Sequence, residues 1–174
     1  MKALTEYVRT IPDFPEPGVM FRDITTILQD PDGLKLAIDG LRKGLEDVEY
    51  DVVVGPESRG FIFGVPIAYA EGKGFVPVRK KGKLPAETIE ETYDLEYGTA
   101  TIEIHKDAIT PGQKVVIVDD LLATGGTMEA IIRLVERLGG EVVKIAFVLE
   151  LKGLEGMKKL AGYDCFSLVS YEGK

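Results

Sequence analysis

Apolar residues recur along much of the chain with the spacing of helices. Leu34, Ile38, Leu41, Leu45 and Val48 are three or four positions apart, so they share one face of a helix over residues 34–48. The same spacing recurs over residues 128–138, where Gly139-Gly140 is a helix stop signal. Further helices are predicted over residues 61–70, despite Pro66, and over residues 153–161.

Short runs of β-branched and other apolar residues alternate with these helices and are typical of buried strands. The runs occupy residues 51–54, 75–78, 114–118, 142–149 and 165–169. Alternating polarity on both sides of Tyr97-Gly98, within residues 92–104, predicts a β-hairpin. Strands separated by helices imply βαβ units, so we expect an α/β fold with a mostly parallel central sheet flanked by helices.

The length of the chain fits one domain, residues 1–174. Residues 1–33 are rich in Pro and Asp and precede the first long helix, which predicts a small hood over the sheet edge. Residues 34–174 would then form the core.

Charge and composition restrict the partners. The chain has 21 basic and 29 acidic residues, a net charge of −8, which argues against nucleic-acid binding. No stretch approaches the roughly 20 apolar residues of a membrane helix, and the single cysteine, Cys165, cannot form an internal disulfide. We therefore expect a soluble cytoplasmic protein.

The strongest chemical signal is the string VVIVDDLLATGGT at residues 115–127. A strand delivers Asp119 and Asp120 to the edge of the sheet, and a small-residue turn then leads into a helix. Unpaired N–H groups at a helix start bind phosphate, whereas the two carboxylates would accept hydrogen bonds from vicinal hydroxyls. Either half alone also fits an ordinary turn and helix cap. The two halves together predict a sugar-phosphate site.

This string resembles the phosphoribosyl pyrophosphate motif of the type I phosphoribosyltransferases. The resemblance implies that family's fold, with an N-terminal hood and a flexible β-hairpin catalytic loop. It also implies that Asp119 and Asp120 hold the ribose, Asp120 being catalytic as well. The residues implied for the 5-phosphate are Ala123, Thr124, Gly125, Gly126 and Thr127.

Five other segments narrow the resemblance to the adenine-specific branch of the family. Residues 17–25 resemble its base-binding hood, and residues 55–61 resemble its first pyrophosphate loop, with a cis peptide implied between Glu57 and Ser58. Residues 79–85 and 93–98 resemble the two ends of its mobile loop, about 80–98. Glu150-Leu151 resembles the strand end that packs on the base.

These segments imply further site residues. Glu96 and Arg59 join Asp120 as catalytic residues, and Glu96 handles the imidazole proton of the base. Lys80 and Lys81 are interpreted as solvated neighbours. The residues implied for pyrophosphate are Glu57, Ser58, Arg59, Gly60, Arg79, Lys83 and Tyr97. Those implied for adenine are Phe21, Arg22 and Leu151.

The implied reaction, in purine salvage, converts adenine and phosphoribosyl pyrophosphate to AMP and pyrophosphate. Mg²⁺ is expected to bind mainly through the substrate, with no direct protein ligand, and a homodimer is expected. Two alternatives stay open. One is transfer to another base (hypoxanthine, guanine, xanthine or orotate), and the other is a non-catalytic sensor of phosphoribosyl pyrophosphate.

Overall fold

The computed structural model describes residues 2–95 and 97–173, and these form two sheets with helices around the larger one. The strands are β1 Arg9–Pro12, β2 Met20–Asp23, β3 Val52–Pro56, β4 Gly74–Lys80, β5 Thr88–Asp94, β6 Thr99–His105, β7 Lys114–Leu122, β8 Glu141–Leu151 and β9 Cys165–Tyr171. The α-helices are α1 Thr25–Leu28, α2 Pro31–Gly44, α3 Arg59–Glu71, α4 Gly126–Arg137 and α5 Gly156–Lys159. Two 3₁₀ turns span Leu4–Tyr7 and Lys152–Leu154.

The larger sheet has seven strands in the order β5-β6-β4-β3-β7-β8-β9. Strands β4, β3, β7, β8 and β9 pair in parallel, while the hairpin β5–β6 joins antiparallel at one edge. One apolar cluster packs α2 and α3 on one face, and a second packs α4 on the other. The predicted α/β fold with a mostly parallel, helix-flanked sheet is confirmed.

Helix α2 covers the predicted periodic segment but begins and ends earlier. The Asp30 side chain caps it by accepting hydrogen bonds from the N–H groups of Asp32 and Gly33, and Pro31 occupies the first turn. The helix ends at Gly44, so Leu45 and Val48 continue its apolar face from a turn rather than from the helix.

Strand β7 is longer than the apolar run that predicted it. We expected the strand to end at Val118, but it continues to Leu122 because it stays paired with the long strand β8, with Asp119 opposite Phe147 and Leu121 opposite Leu149. The two aspartates therefore lie within a strand. Successive residues of a strand face opposite sides, so the two side chains point to opposite sides of β7.

The hairpin is attached to the rest of the sheet by a short contact. β6 pairs with β4 only at Arg79 and Lys80, so Pro77 lies where β4 has β3 alone as its neighbour. This position suits a residue without an N–H group.

The N-terminal segment forms a separate two-stranded sheet of β1 and β2, followed by α1. The buried carboxylate of Asp23 accepts hydrogen bonds from the Thr25 hydroxyl and from Arg9, and these bonds lower its pKa to about 2. No helix within the described ranges is long and apolar enough to cross a membrane.

Candidate active site

Three adjoining hollows lie at the carboxyl edge of the parallel strands. The wide cleft, about 680 Å³, is lined by residues of the 56–59, 78–81 and 100–102 segments. The hood slot, about 110 Å³, lies between residues 19–25 and the ends of β7 and β8. The turn cup, about 90 Å³, is formed mainly by residues 121–128. Arg59 and Asp120 line both the cleft and the slot, whereas Asp119 and Thr127 line both the cleft and the cup.

The turn cup is built by a tight bend that leads into α4. Gly125 has a φ of +91°, a left-handed conformation that favours glycine, and no side chain of the described residues caps the helix start. Below the bend, a Cβ at Gly156 would lie 2.5 Å from the carbonyl oxygen of Ala123, so α5 supports the cup at van der Waals range. The first N–H groups of α4 are thus available to an anion.

The consecutive aspartates have opposite electrostatic surroundings. Asp120 is only 5% exposed, and its Oδ2 lies 2.6 Å from Nε of Arg59. Burial raises the pKa of Asp119 well above its ordinary value, and the nearby charge of Asp120 raises it further. Asp120 is therefore paired with a cation, whereas the surroundings of Asp119, beside the cup, disfavour its charged form.

The segment that resembles a pyrophosphate loop joins β3 to α3. The Glu57–Ser58 peptide is cis, as the resemblance implied. Glu57, Ser58 and Arg59 line the cleft, while Gly60 is buried beneath the loop, where a Cβ would lie 2.7 Å from Cδ of Pro56.

The carboxylate of Glu57 is already engaged by the end of β4. Its Oε1 accepts hydrogen bonds from the N–H of Lys80, at 2.8 Å, and from Nε of Arg79, at 3.2 Å. These contacts lower the pKa of Glu57, the backbone N–H contributing most. Glu57 thus fixes the position of Arg79 at the cleft.

Among the basic residues of the 79–83 segment, those that line the cleft differ from those that the sequence interpretation assigned to the site. Lys80 and Lys81, interpreted as solvated neighbours, line the cleft together with Arg79. Lys83 contributes its carbonyl oxygen, 3.4 Å from Nη1 of Arg79, and lies outside the cleft lining. Tyr97 is 88% exposed at the hairpin tip and also lies outside that lining. Glu96 lies outside the described residues.

The structure brings the three predicted adenine residues together in the hood slot. Phe21, Arg22 and Leu151 line it, and Leu121 and Leu149 add apolar surface that the sequence reading missed. Strand alternation in β7 and β8 is the signal that could have found these two leucines. The guanidinium of Arg22 stacks 4.1 Å from the ring centroid of Tyr171 and donates to the Thr10 hydroxyl.

Potential metal ligands are sparse around these hollows. Over residues 2–95 and 97–173, no group of three or more His, Cys, Asp or Glu side chains is arranged to hold a metal ion. The free thiol of Cys165 is half-buried, and burial raises its pKa to about 11, so it is protonated at neutral pH.

Strand β7 carries the acid pair and leads into a glycine-rich bend at the start of α4. This arrangement matches the motif by which the sequence resembles the type I phosphoribosyltransferases. Residues 23–172 match the family model described as the phosphoribosyl transferase domain. The chain is 67% identical, over all 174 residues and the full length of the relative, to adenine phosphoribosyltransferase of Lachnoclostridium phytofermentans.

Solved structures agree with this match. The crystal structure of adenine phosphoribosyltransferase from Thermoanaerobacter pseudethanolicus superimposes with a TM-score of 0.93 at 55% identity, covering 97% of this chain and 98% of that one. The Saccharomyces cerevisiae enzyme, complexed with an imino-altritol bisphosphate and adenine, gives 0.88 at 43% identity, covering 95% and 96%. The chain therefore belongs to the adenine phosphoribosyltransferase branch of the family. The prediction of a phosphoribosyltransferase, a pentosyltransferase of purine salvage, is confirmed.

Proposed function

We propose that the three hollows bind adenine and phosphoribosyl pyrophosphate side by side and that the chain converts them to AMP and pyrophosphate. The observation that carries the proposal is the acid pair of β7, which joins the wide cleft to the turn cup through Asp119 and to the hood slot through Asp120. When these acids hold the ribose, its 5-phosphate, its diphosphate and the incoming base are each directed to a different one of the three hollows. The adenine in the complex of the yeast relative supports the choice of base.

The turn cup takes the 5-phosphate. Residues 123–127 provide backbone N–H groups and two threonine hydroxyls, which suit a dianion. The raised pKa of Asp119 favours its neutral form, which would not repel the phosphate. Asp120 and Asp119 hold the ribose hydroxyls across the mouth of the cup.

The wide cleft takes the pyrophosphate. Arg59 and Arg79 offer planar donor groups suited to phosphate oxygens, and Ser58 also lines the cleft. Arg59 has a side chain that is 52% exposed, so it is free to turn from Asp120 toward the ligand. Gly60 lets the loop pack closely, and Glu57 holds Arg79 in place. Lys83, Tyr97 and Glu96 join the site when the hairpin closes.

The hood slot takes the base. Its walls are mostly apolar and include Phe21 and Leu151, which suit the two faces of a planar ring, and the β2 backbone at Arg22 reads the ring edge. Glu96, brought in by the hairpin, manages the imidazole proton of adenine.

The chemistry then depends on positioning and charge. The bond from the anomeric carbon to pyrophosphate breaks, the carbon gains oxocarbenium character, and the base nitrogen attacks from the opposite face. Arg59 and Arg79 stabilise the charge on the leaving group, while Asp120 orients the sugar.

A magnesium ion fits this site when it is bound together with the diphosphate. Carboxylate oxygens are suitable ligands, but those of Asp120 and Glu57 are already paired with arginines, so most ligands would come from substrate oxygens. When bound, the ion supplies neutralisation of the diphosphate charge.

A homodimer is supported by an apolar face on α3. Ile62, Val65 and Tyr69 lie on one side of this helix and are 38%, 47% and 88% exposed. Because α3 begins at Arg59, a partner on this face would lie close to the wide cleft. We further propose that residues 1–174 act as one domain and work in the cytoplasm, where a single unpaired cysteine is ordinary.

The direct test incubates the protein with magnesium, phosphoribosyl pyrophosphate and each purine or pyrimidine base in turn. We expect AMP from adenine alone. Asp120→Ala should lower kcat/KM by about 10²–10³-fold while the protein stays folded, because the sugar loses its orienting acid. Asp47→Ala, at a surface acid on the opposite edge of the sheet, is the control. An unchanged rate in Asp120→Ala, or binding of phosphoribosyl pyrophosphate without turnover, would contradict the proposal.

A further inference from the structure

A hydrogen bond links the hairpin directly to the turn cup. The Thr127 hydroxyl donates to the phenolic oxygen of Tyr93 at 3.0 Å, across 34 positions of sequence. Thr127 lines the cup, and Tyr93 lines the wide cleft beside Asp119. Tyr93 thus connects the wide cleft, which it lines, to Thr127 of the turn cup.

Packing holds the Tyr93 ring at this junction. A Cβ on Gly126 would lie 3.6 Å from Cδ2 of Tyr93, so the ring rests against the first residue of α4. Two positions earlier on the same face of β5, Glu91 forms ion pairs with Arg133 and Arg137 of α4, at 3.3 and 3.0 Å. This face of β5 is therefore docked on the helix that begins at the cup.

We propose that Tyr93 is a positioning residue that couples occupation of the turn cup to the anchoring of the β5–β6 hairpin. The inference rests on the proposed function, in which the cup takes the 5-phosphate. Its basis is that the Thr127 hydroxyl has a single hydrogen and two acceptor lone pairs.

Phosphate binding reverses the direction of this hydrogen bond. In the free protein the Thr127 hydrogen points to Tyr93. A phosphate oxygen only accepts hydrogen bonds, so Thr127 turns its hydrogen to the phosphate, and the Tyr93 hydroxyl then donates to Thr127. The resulting chain from Tyr93 through Thr127 to the phosphate ends on an anion, and each bond in it polarises the next. The bound phosphate thereby strengthens the link between hairpin and cup.

Tyr93→Phe isolates the hydroxyl, because it keeps the ring that packs on Gly126. The matched control is Tyr163→Phe, which removes a tyrosine hydroxyl that donates to Glu136, away from the three hollows. We expect Tyr93→Phe to raise KM for phosphoribosyl pyrophosphate by about 3- to 10-fold, the effect of one net hydrogen bond. KM for adenine and kcat should stay within about twofold of the parent values. The control should leave all three values unchanged.

The coupling itself is measured by amide hydrogen exchange with saturating ribose 5-phosphate. In the parent protein the ligand should slow exchange of residues 88–94, and in Tyr93→Phe this slowing should be lost although the ligand still binds by calorimetry.

The outcomes separate this inference from the proposed function. Parent protein that binds ribose 5-phosphate without slowing exchange in β5, or a Tyr93→Phe variant that keeps both the slowing and the parent KM, would overturn the inference alone. Parent protein that fails to bind ribose 5-phosphate would overturn the phosphate assignment of the cup, and the inference with it.

Discussion

Asp119 and Asp120 are consecutive in the chain, yet their surroundings are very different. Arg59 lies against Asp120, whereas partial burial and the charge of its neighbour raise the pKa of Asp119. For a polyanionic substrate, one carboxylate charge is useful to orient the hydroxyls, whereas a second charge beside the phosphate would repel it. The raised pKa of Asp119 and the pairing of Asp120 with Arg59 both favour this distribution of charge.

Asp119→Asn should stabilise the protein at neutral pH while lowering its activity. Between 3.8, the ordinary pKa, and the raised value, the folded state binds more protons at Asp119 than the unfolded state does. The stability contributed by Asp119 therefore falls as pH rises through this window, and the asparagine removes that loss. A gain of about 1 kcal/mol corresponds to a Tm rise of about 2–4 °C.

Thermal unfolding of the parent and Asp119→Asn at a series of pH values tests this. The Tm difference should vanish near pH 3 and grow toward neutral pH. Asn keeps the oxygen that accepts the hydrogen bond from the N–H of residue 120 in the parent. A Tm difference that is the same at every pH would show that the effect does not come from titration of Asp119.

The roles of single residues could be predicted where the residues that act together are close together in the sequence. The string from Asp119 to Thr127 carries its chemistry in consecutive letters. The engagement of Glu57 by Lys80 and the contact of Tyr93 with Thr127 depend instead on which strands and helices become neighbours. No spacing within the sequence contains that information.

At the scale of elements, periodicity located the main strands and helices of the large sheet, and its errors have physical causes. The strand β7 was cut short because Asp119 and Asp120 end the apolar run, although pairing with β8 continues past them. The start of β5 was missed because this edge strand is largely polar. Strand order, including the antiparallel attachment of β6 to β4, comes from long-range pairing and was not readable from the sequence.

The short helix α5 should affect phosphate binding through its first residue. Gly156→Ala would force a methyl group onto the Ala123 carbonyl, at 2.5 Å, and so displace the bend of the turn cup. We expect KM for phosphoribosyl pyrophosphate to rise by roughly tenfold, with a loss of about 1–3 kcal/mol in the free energy of unfolding.

Steady-state kinetics and urea unfolding measure these two effects. Gly74→Ala is the matched control, since a Cβ there meets no atom within 4 Å. A Gly156→Ala variant with unchanged KM would show that α5 does not support the cup.

For the whole molecule, the distribution of charge and of apolar surface matters more than any single contact. The chain carries a net charge of −8, yet Arg59, Arg79, Lys80 and Lys81 all line the wide cleft. An anionic substrate is therefore attracted to one part of an otherwise acidic surface, and the attraction weakens as salt is added.

The α3 face of Ile62, Val65 and Tyr69 provides a test of assembly. Val65→Glu places a charge in the centre of this apolar face, so we expect the proposed homodimer to dissociate and kcat/KM to fall by about tenfold, because the adjacent cleft would lose the surface of its partner. Analytical ultracentrifugation gives the mass of each species. Lys35→Glu, on the exposed side of α2, should remain dimeric, and a parent protein that sediments as a monomer would refute the assignment.

The hood has a consequence for how this scaffold can diversify. Its strands form a sheet of their own, whereas the residues that we propose to bind the sugar and phosphate belong to β7, the bend after it and the start of α4. Changes along β2 can therefore reshape the base slot while the sugar grip is inherited intact. A shift by one position within β7 would instead exchange the sides to which the two aspartates point. New base preferences should accordingly evolve by substitutions in the hood, with the length of β7 left untouched.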